Sequence, residues 1–149
     1  MRIRHVIGVF AVALASATCS LGGTEDAGSM NVYIAVDKAT LFVDDTMTIT
    51  VTARNVGFDP VTLTGPSGCL LYVDVFDTQG NVVWSSNGGC SPQVVTEEIL
   101  GGLDKVQSFM WDGTNLAGGR LASGFYHIRG VARVTSGAYA GPPLSVSIE

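Results

Sequence analysis

From residue 30 onward, apolar and polar residues alternate with a period of two, the period of a β-strand whose side chains point to opposite faces. The clearest run is 46–54: Met47, Ile49, Val51 and Ala53 share one face, and Thr46, Thr48, Thr50 and Thr52 share the other. A strand with one buried and one solvated face is written this way. Similar runs predict strands at 31–38 (Val32, Ile34 and Val36 against Tyr33, Ala35 and Asp37), 61–63, 70–77, 82–85, 94–100, 105–112, 125–135 and 144–148. Turn chemistry separates them at Asp44 and Asp45, at Gly65 to Gly68, and at Gly141, Pro142 and Pro143. No stretch after residue 30 has a helical period with caps. Eight or nine short strands and no helix predict an all-β chain, an antiparallel β-sandwich of Ig-like type with a partly closed barrel as the alternative.

The run 70–77 places Leu71, Val73 and Val75 on one face and Leu70, Tyr72, Asp74 and Phe76 on the other. It is followed by Thr78, Gln79, Gly80 and Asn81, then by Val82 to Ser85, which reads as a hairpin with Gly80 at a positive φ. Cys69 opens one arm and Cys90 lies just beyond the other, so antiparallel pairing brings the two sulfurs together. A disulfide there closes a loop of about twenty residues and stabilises the fold by roughly 3 kcal/mol on the loop-entropy model. It also flanks the segment Ser86, Asn87, Gly88 and Gly89, a strand connection that doubles as a candidate binding loop.

Residues 111–126 form the next organising stretch. Trp111 ends one strand and Tyr126 starts another, with Gly113, Gly118, Gly119 and Gly124 supplying freedom for positive φ between them. Asp112 and Asn115 have short side chains suited to binding nearby backbone amides, a more economical reading than an oxygen-ligand site for calcium, which needs six to eight oxygens. Trp84, Trp111, Tyr72 and Tyr126 are the large residues expected to fill the core.

The spacing Trp111-Asp112-Gly113-x-Asn115-x-x-Gly118-x-x-Leu121-x-x-Gly124-x-Tyr126 resembles the signature of bacterial Ig-like domains of the flagellar hook-capping type. A longer set of positions resembles the BsuPI-type intracellular proteinase inhibitor domain. It comprises Asn55, Val61-Thr62-Leu63, the run from Cys69 through Tyr72, Asp77 and Gly80 to Trp84 and Ser85, then Trp111, Gly118 and Tyr126. The segment 99–104 stands where that family has Leu-x-Pro-Gly-Glu, without the proline but with turn chemistry kept by Gly101 and Gly102. The resemblance covers about residues 54–134 and implies a β-sandwich that binds a protein target, with a proteinase as the target class that the family name suggests.

Residues 1–18 read as an export signal: Arg2, Arg4 and His5 precede an apolar run at 6–15 that is too short to span a bilayer. Two exits are open. Ala15, Ser16 and Ala17 fit cleavage by a signal peptidase, leaving a periplasmic or secreted soluble protein. Ser16, Ala17, Thr18 and Cys19 approximate a lipobox that would place a diacylated Cys19 at the mature amino terminus. Three cysteines favour the second: with Cys69 and Cys90 paired, Cys19 is left where a lipid anchor attaches. The small, polar residues of 19–29 then read as a flexible tether and 30–149 as one domain.

Losing Arg2 and Arg4 takes the formal net charge from −5 to −7. Nucleic acid is not an expected partner, because phosphate binding needs clustered Lys and Arg. For catalysis, His127 is the one histidine after the signal, and it sits in a strand pattern. Glu97 and Glu98 are adjacent and so point apart, and no Gly-rich phosphate loop precedes a helix. No enzyme, metal site or cofactor is expected. The expected function is an exported, non-catalytic protein-binding module of the cell envelope, with a structural or adhesion domain as the alternative.

Replacing Cys19 by Ala is expected to move the protein from the membrane to the soluble fraction without changing its thermal unfolding, since the domain begins about ten residues later. Fractionation and circular-dichroism melts read both outcomes, and an intact mass starting at Thr18 with no acyl addition overturns the anchor.

Overall fold

Eleven strands account for most of residues 29–66 and 69–149, the part of the chain that the computed structural model describes. The expected signal 1–18, Cys19 and the tether up to residue 28 lie outside the described residues. The strands are β1 (Met30–Val36), β2 (Thr40–Leu41), β3 (Met47–Asn55), β4 (Val61–Pro66), β5 (Leu71–Phe76), β6 (Val82–Ser85), β7 (Val94–Ile99), β8 (Asp104–Trp111), β9 (Gly124–Val134), β10 (Gly137–Ala140) and β11 (Leu144–Ile148). They form two sheets, one of three strands in the order β1-β3-β8 and one of eight. The fold is an all-β, Ig-like sandwich. All nine strands that the period of two predicts are present. β2 and β10, of two and four residues, are additions that the pattern does not predict.

β9 is the axis of the larger sheet. Along one edge it pairs with β11 (Tyr126 opposite Val146) and then β10 (Ala132 opposite Tyr139). Along the other it pairs with β5 (Ile128 opposite Val75) and, at Val134, with Leu63 of β4. β2 adds in parallel beyond β11, β6 beyond β5, and β7 beyond β4. The edge strands β7 and β8 of the two sheets are tied by Lys105 and Glu97 at 2.6 Å.

The residues predicted to face inward are inside: Met47, Ile49, Val51, Ala53, Leu71, Val73, Val75 and Ile128 are fully buried, as is Trp111 at the end of β8. Two of the four expected core fillers are placed otherwise. Tyr72 lies on the outer face of β5, half-buried beneath the Arg133 guanidinium, which sits 4.8 Å from its ring centroid. Its alternation with Leu71 and Val73 requires this, since one strand cannot point neighbours to the same side. Trp84 is half-buried at the core's margin, its ring 6.1 Å from that of Trp111.

The sequence pattern ends β4 at Leu63 with Gly65 as a breaker, yet the strand runs through the glycine to Pro66. Gly65 is needed for close approach instead: a Cβ there would stand 2.9 Å from the Cys69 carbonyl oxygen. Gly130 has the same role between the sheets. A Cβ on it would lie 2.6 Å from Ile34 Cγ2 and 2.9 Å from Val51 Cγ1, so β1 and β3 press directly on the backbone of β9.

Asn55, at the end of β3, is a fully buried polar side chain within this core. Its amide nitrogen donates to the Asp59 carbonyl (2.7 Å) and the Ile99 carbonyl (2.8 Å), and its oxygen accepts from the Gly57 amide (2.9 Å). Both of its hydrogens and its oxygen are engaged, which is what makes burial of an amide tolerable.

Gly130→Ala is expected to destabilise the domain by about 1–3 kcal/mol through overpacking. Urea unfolding measures it. A loss below about 0.5 kcal/mol would show that the sheets separate more easily than this contact implies.

Candidate functional site

Two of the stretches singled out in the sequence have well-defined geometry. The first is the closure between β8 and β9, residues 112–123. Asp112 Oδ1 accepts hydrogen bonds from the Thr114 amide (3.1 Å) and hydroxyl (2.6 Å), while Trp111 Nε1 donates to the Thr114 carbonyl (2.9 Å). Asn115 Oδ1 accepts from the amides of Ala117 (2.9 Å) and Gly119 (3.0 Å). Gly113, Gly118 and Gly124 have φ of 78°, 81° and 151°, values that favour glycine. Gly119 does not share this conformation. A Cβ added there would meet Asn115 at ordinary contact distance, 3.4 Å from its amide nitrogen.

Tyr126 completes the closure: its hydroxyl donates to the Ala122 carbonyl at 2.8 Å, four residues upstream, a tyrosine corner of the kind Ig-like sandwiches use. Arg120, which the sequence does not single out, is as important. Its guanidinium donates to the carbonyls of Asp112 (3.1 Å) and Phe42 (2.8 Å), tying the closure to the β2–β3 connection. The signal it leaves in the sequence is a long cationic side chain in a Gly-rich loop, where backbone carbonyls lack strand partners. Asp112 and Asn115 thus each engage Oδ1 with nearby groups of the loop, in a closure that braces the sandwich.

The Asp112 carboxyl is held below its usual value of 3.8, first by the Thr114 hydroxyl hydrogen bond, with further help from the Thr114 amide and the charge of Arg120, against desolvation. A group whose value falls on folding adds stability above its unfolded value and loses it as pH drops through the folded one.

The second stretch is the connection from β6 to β7. Cys69 and Cys90 are joined, with Cα atoms 5.8 Å apart and a sequence separation of 21. Ser86, Asn87, Gly88 and Gly89 form a single 3₁₀ turn capped by Ser85, whose hydroxyl oxygen accepts from the Asn87 amide at 3.2 Å. Ser86 Oγ accepts from the Val73 amide at 2.9 Å, which pins the turn to β5, and Ser85 Oγ donates to Asp74 at 2.7 Å. Gly88, Gly89, Ser91, Pro92, Gln93 and Val94 are exposed. The result is a solvent-facing loop fixed at both ends.

His127 lies on the outer face of β9, half-buried, with Nδ1 3.1 Å from Ser145 Oγ on β11. That serine sits on a neighbouring strand of the same sheet face, an ordinary cross-strand pair. Glu97 is engaged by Lys105 at the edge of the sandwich. Among the described residues no three His, Cys, Asp or Glu side chains are grouped so as to hold a metal ion.

No protein-family model matches the chain, and no curated protein matches it. Several solved structures share the fold. A dimeric latent PorU from Porphyromonas gingivalis is 16% identical with a TM-score of 0.52 over 80% of this chain and 9% of its own. Spo0M, a sporulation control protein from Bacillus subtilis, is 10% identical with a TM-score of 0.51 over 82% of this chain and 50% of its own. The alkylpurine DNA glycosylase AlkC of Pseudomonas fluorescens is 8% identical with a TM-score of 0.50 over 81% and 30%. The chain thus spans half or less of each of these proteins. At such identities the likeness is one of fold: the same small sandwich embedded in proteins of unrelated kinds.

Asp112→Ala is expected to lower stability at pH 7 by about 0.5–1.5 kcal/mol, a few degrees in melting temperature. The gap to the wild type should narrow as pH is lowered below about 4. Melts across pH check it. A gap that stays constant down to about pH 2, or a wild-type melting temperature that rises with calcium, would overturn the bracing role.

Proposed function

We propose that this chain is an exported, non-catalytic binding module, carried on a lipid-modified Cys19 in the cell envelope, that recognises a protein through the loop 86–94. The observation that carries the reading is the loop itself. It is exposed, yet held by the Cys69–Cys90 disulfide, by Ser86 on β5 and by the Ser85 cap, so little conformational freedom is left to lose on binding. A disulfide suits an oxidising compartment outside the cytoplasm, in keeping with the signal-like residues 1–18.

The resemblance to the BsuPI-type pattern supports a proteinase as the target class, because a rigid exposed loop is what an inhibitor offers to an active-site cleft. The chemistry of the described residues also favours recognition over turnover: Asp112 Oδ1, Asn115 Oδ1 and the Tyr126 hydroxyl of the Trp111 to Tyr126 closure are engaged in hydrogen bonds within it.

Pull-down from detergent-solubilised native envelope with the wild type, with Gly88→Arg and with Gln93→Arg tests this. Both positions are exposed, so melting should be unchanged within about 1–2 °C, while the captured protein should fall at least about tenfold with both variants. Phe125→Arg, an exposed position at the start of β9, is the control expected to retain the partner. Equal capture by all four proteins would place recognition elsewhere, and capture of nothing by any would favour a structural role.

A further inference from the structure

The end of the sandwich where the described chain begins carries an apolar tip. The β3–β4 loop presents Val56 and Phe58, and the β7–β8 turn presents Leu100 and Leu103, residues that are 47%, 101%, 53% and 55% exposed. Phe58 touches almost nothing, an unusual state for a phenylalanine in water.

The tip is built. Asn55 holds both loops from beneath through the carbonyls of Asp59 and Ile99 and the amide of Gly57. Backbone bonds join Asn55 to Leu103 (3.0 Å) and Gly102 (2.8 Å). The loops meet at Gly101, where a Cβ would come within 2.7 Å of the Gly57 carbonyl oxygen and 2.6 Å of that of Phe58, so only glycine permits the contact. A buried amide and a side-chain-free contact fix the loops while four apolar side chains face solvent.

Position identifies the occupant. Phe42, Val43, Leu116 and Phe125 are also exposed, but they surround the opposite end, at the Trp111 to Tyr126 closure. What separates the two ends is where the chain starts: the Val56 amide donates to the Ser29 carbonyl at 2.7 Å, which sets the described amino terminus against the Phe58 tip. Cys19 lies ten residues before Ser29 in the sequence, and ten residues reach at most about 35 Å. The nine residues of β3 alone span about 30 Å. An acyl chain on Cys19 therefore brings the Phe58 end to the bilayer with ease and the opposite end only with the tether fully drawn out along the domain. The two loops contain Asp59 and neither Lys nor Arg, which suits a zwitterionic lipid surface better than a strongly anionic one.

We propose that Val56, Phe58, Leu100 and Leu103 form a membrane-contact tip that dips into the interfacial region of the bilayer, orienting the domain upright on its anchor. This rests on the reading of Cys19 as lipid-modified. Apolar side chains at an interface add to an acyl anchor, and together they fix orientation as well as attachment.

The test uses the full processed protein, isolated from membranes and reconstituted into phosphatidylcholine–phosphatidylethanolamine vesicles containing brominated phosphatidylcholine, with intact mass reporting acylation. Phe58→Trp is expected to gain a fluorescence component that bromolipid quenches by more than about half. Phe125→Trp, at the opposite end, should gain one that bromolipid leaves within about 10% of its value. An acylated protein whose indole at position 58 is no more quenched than the one at position 125 overturns the tip and keeps the anchor. A quenched indole at position 58 on a protein without acyl mass keeps the tip and overturns the anchor, and neither signal overturns both. A Phe58→Trp spectrum that shifts to the blue with protein concentration alone, without vesicles, makes the tip a contact between copies of this chain and also overturns the proposal.

Discussion

The two sheets meet across Gly130, where the backbone of β9 is in direct contact with Ile34 and Val51. No side chain fits between them, so the sheet separation is set at this point and the flanking residues must fill the space that results. β9 is able to act as the seat of the sandwich because it is paired along both edges, to β11 and β10 on one and to β5 and β4 on the other. A strand paired on both sides, with a side-chain-free centre, gives the smaller sheet one way to dock.

From that contact the ends of the molecule diverge in character. At one end the chain must pass from β8 in the small sheet to β9 in the large one, and the distance is covered by residues that hydrogen-bond to one another. Asp112 and Asn115 act on local amides, Tyr126 on Ala122 and Arg120 across to Phe42, while the Leu116 amide reaches the Val83 carbonyl of β6. At the other end two tight connections are sewn together by one buried asparagine, and their apolar side chains are left outside. Both ends leave some apolar surface in water. The second is the one at which the described chain begins, with the Val56 amide bound to the Ser29 carbonyl.

The lateral loop after β6 is a third kind of feature. Neither hydrophobic burial nor a sheet ladder holds it, since none of its 3₁₀ residues is buried. A covalent cross-link and a serine hydroxyl do so instead, which is how a short exposed segment keeps one shape in water. The same sandwich recurs inside proteins of unrelated kinds, so the fold by itself does not set a function, and what is particular to this chain is the chemistry of its own loops and ends.

Features with a short-range physical cause could be read from the residues alone. The period of two in 46–54 decides which side chains of β3 are buried. Gly80 decides the β5–β6 turn, and that hairpin in turn decides that Cys69 and Cys90 meet. The roles of Asp112 and Asn115 are legible for the same reason, because their partners lie two to four residues away. Whatever depends on residues far apart in the chain is settled only when the sheets come together. Tyr72, which its alternation sends outside, finds Arg133 of β9 as its cover, and Gly65 sits against the same arginine, whose Cδ would be 3.1 Å from an added Cβ. Arg120 finds the carbonyl of Phe42, 78 positions earlier. Phe58, Leu100 and Leu103 have the composition of core residues. They become a surface because Asn55 and Gly101 bring two separate turns together at an end of the sandwich where no further strand among the described residues covers them.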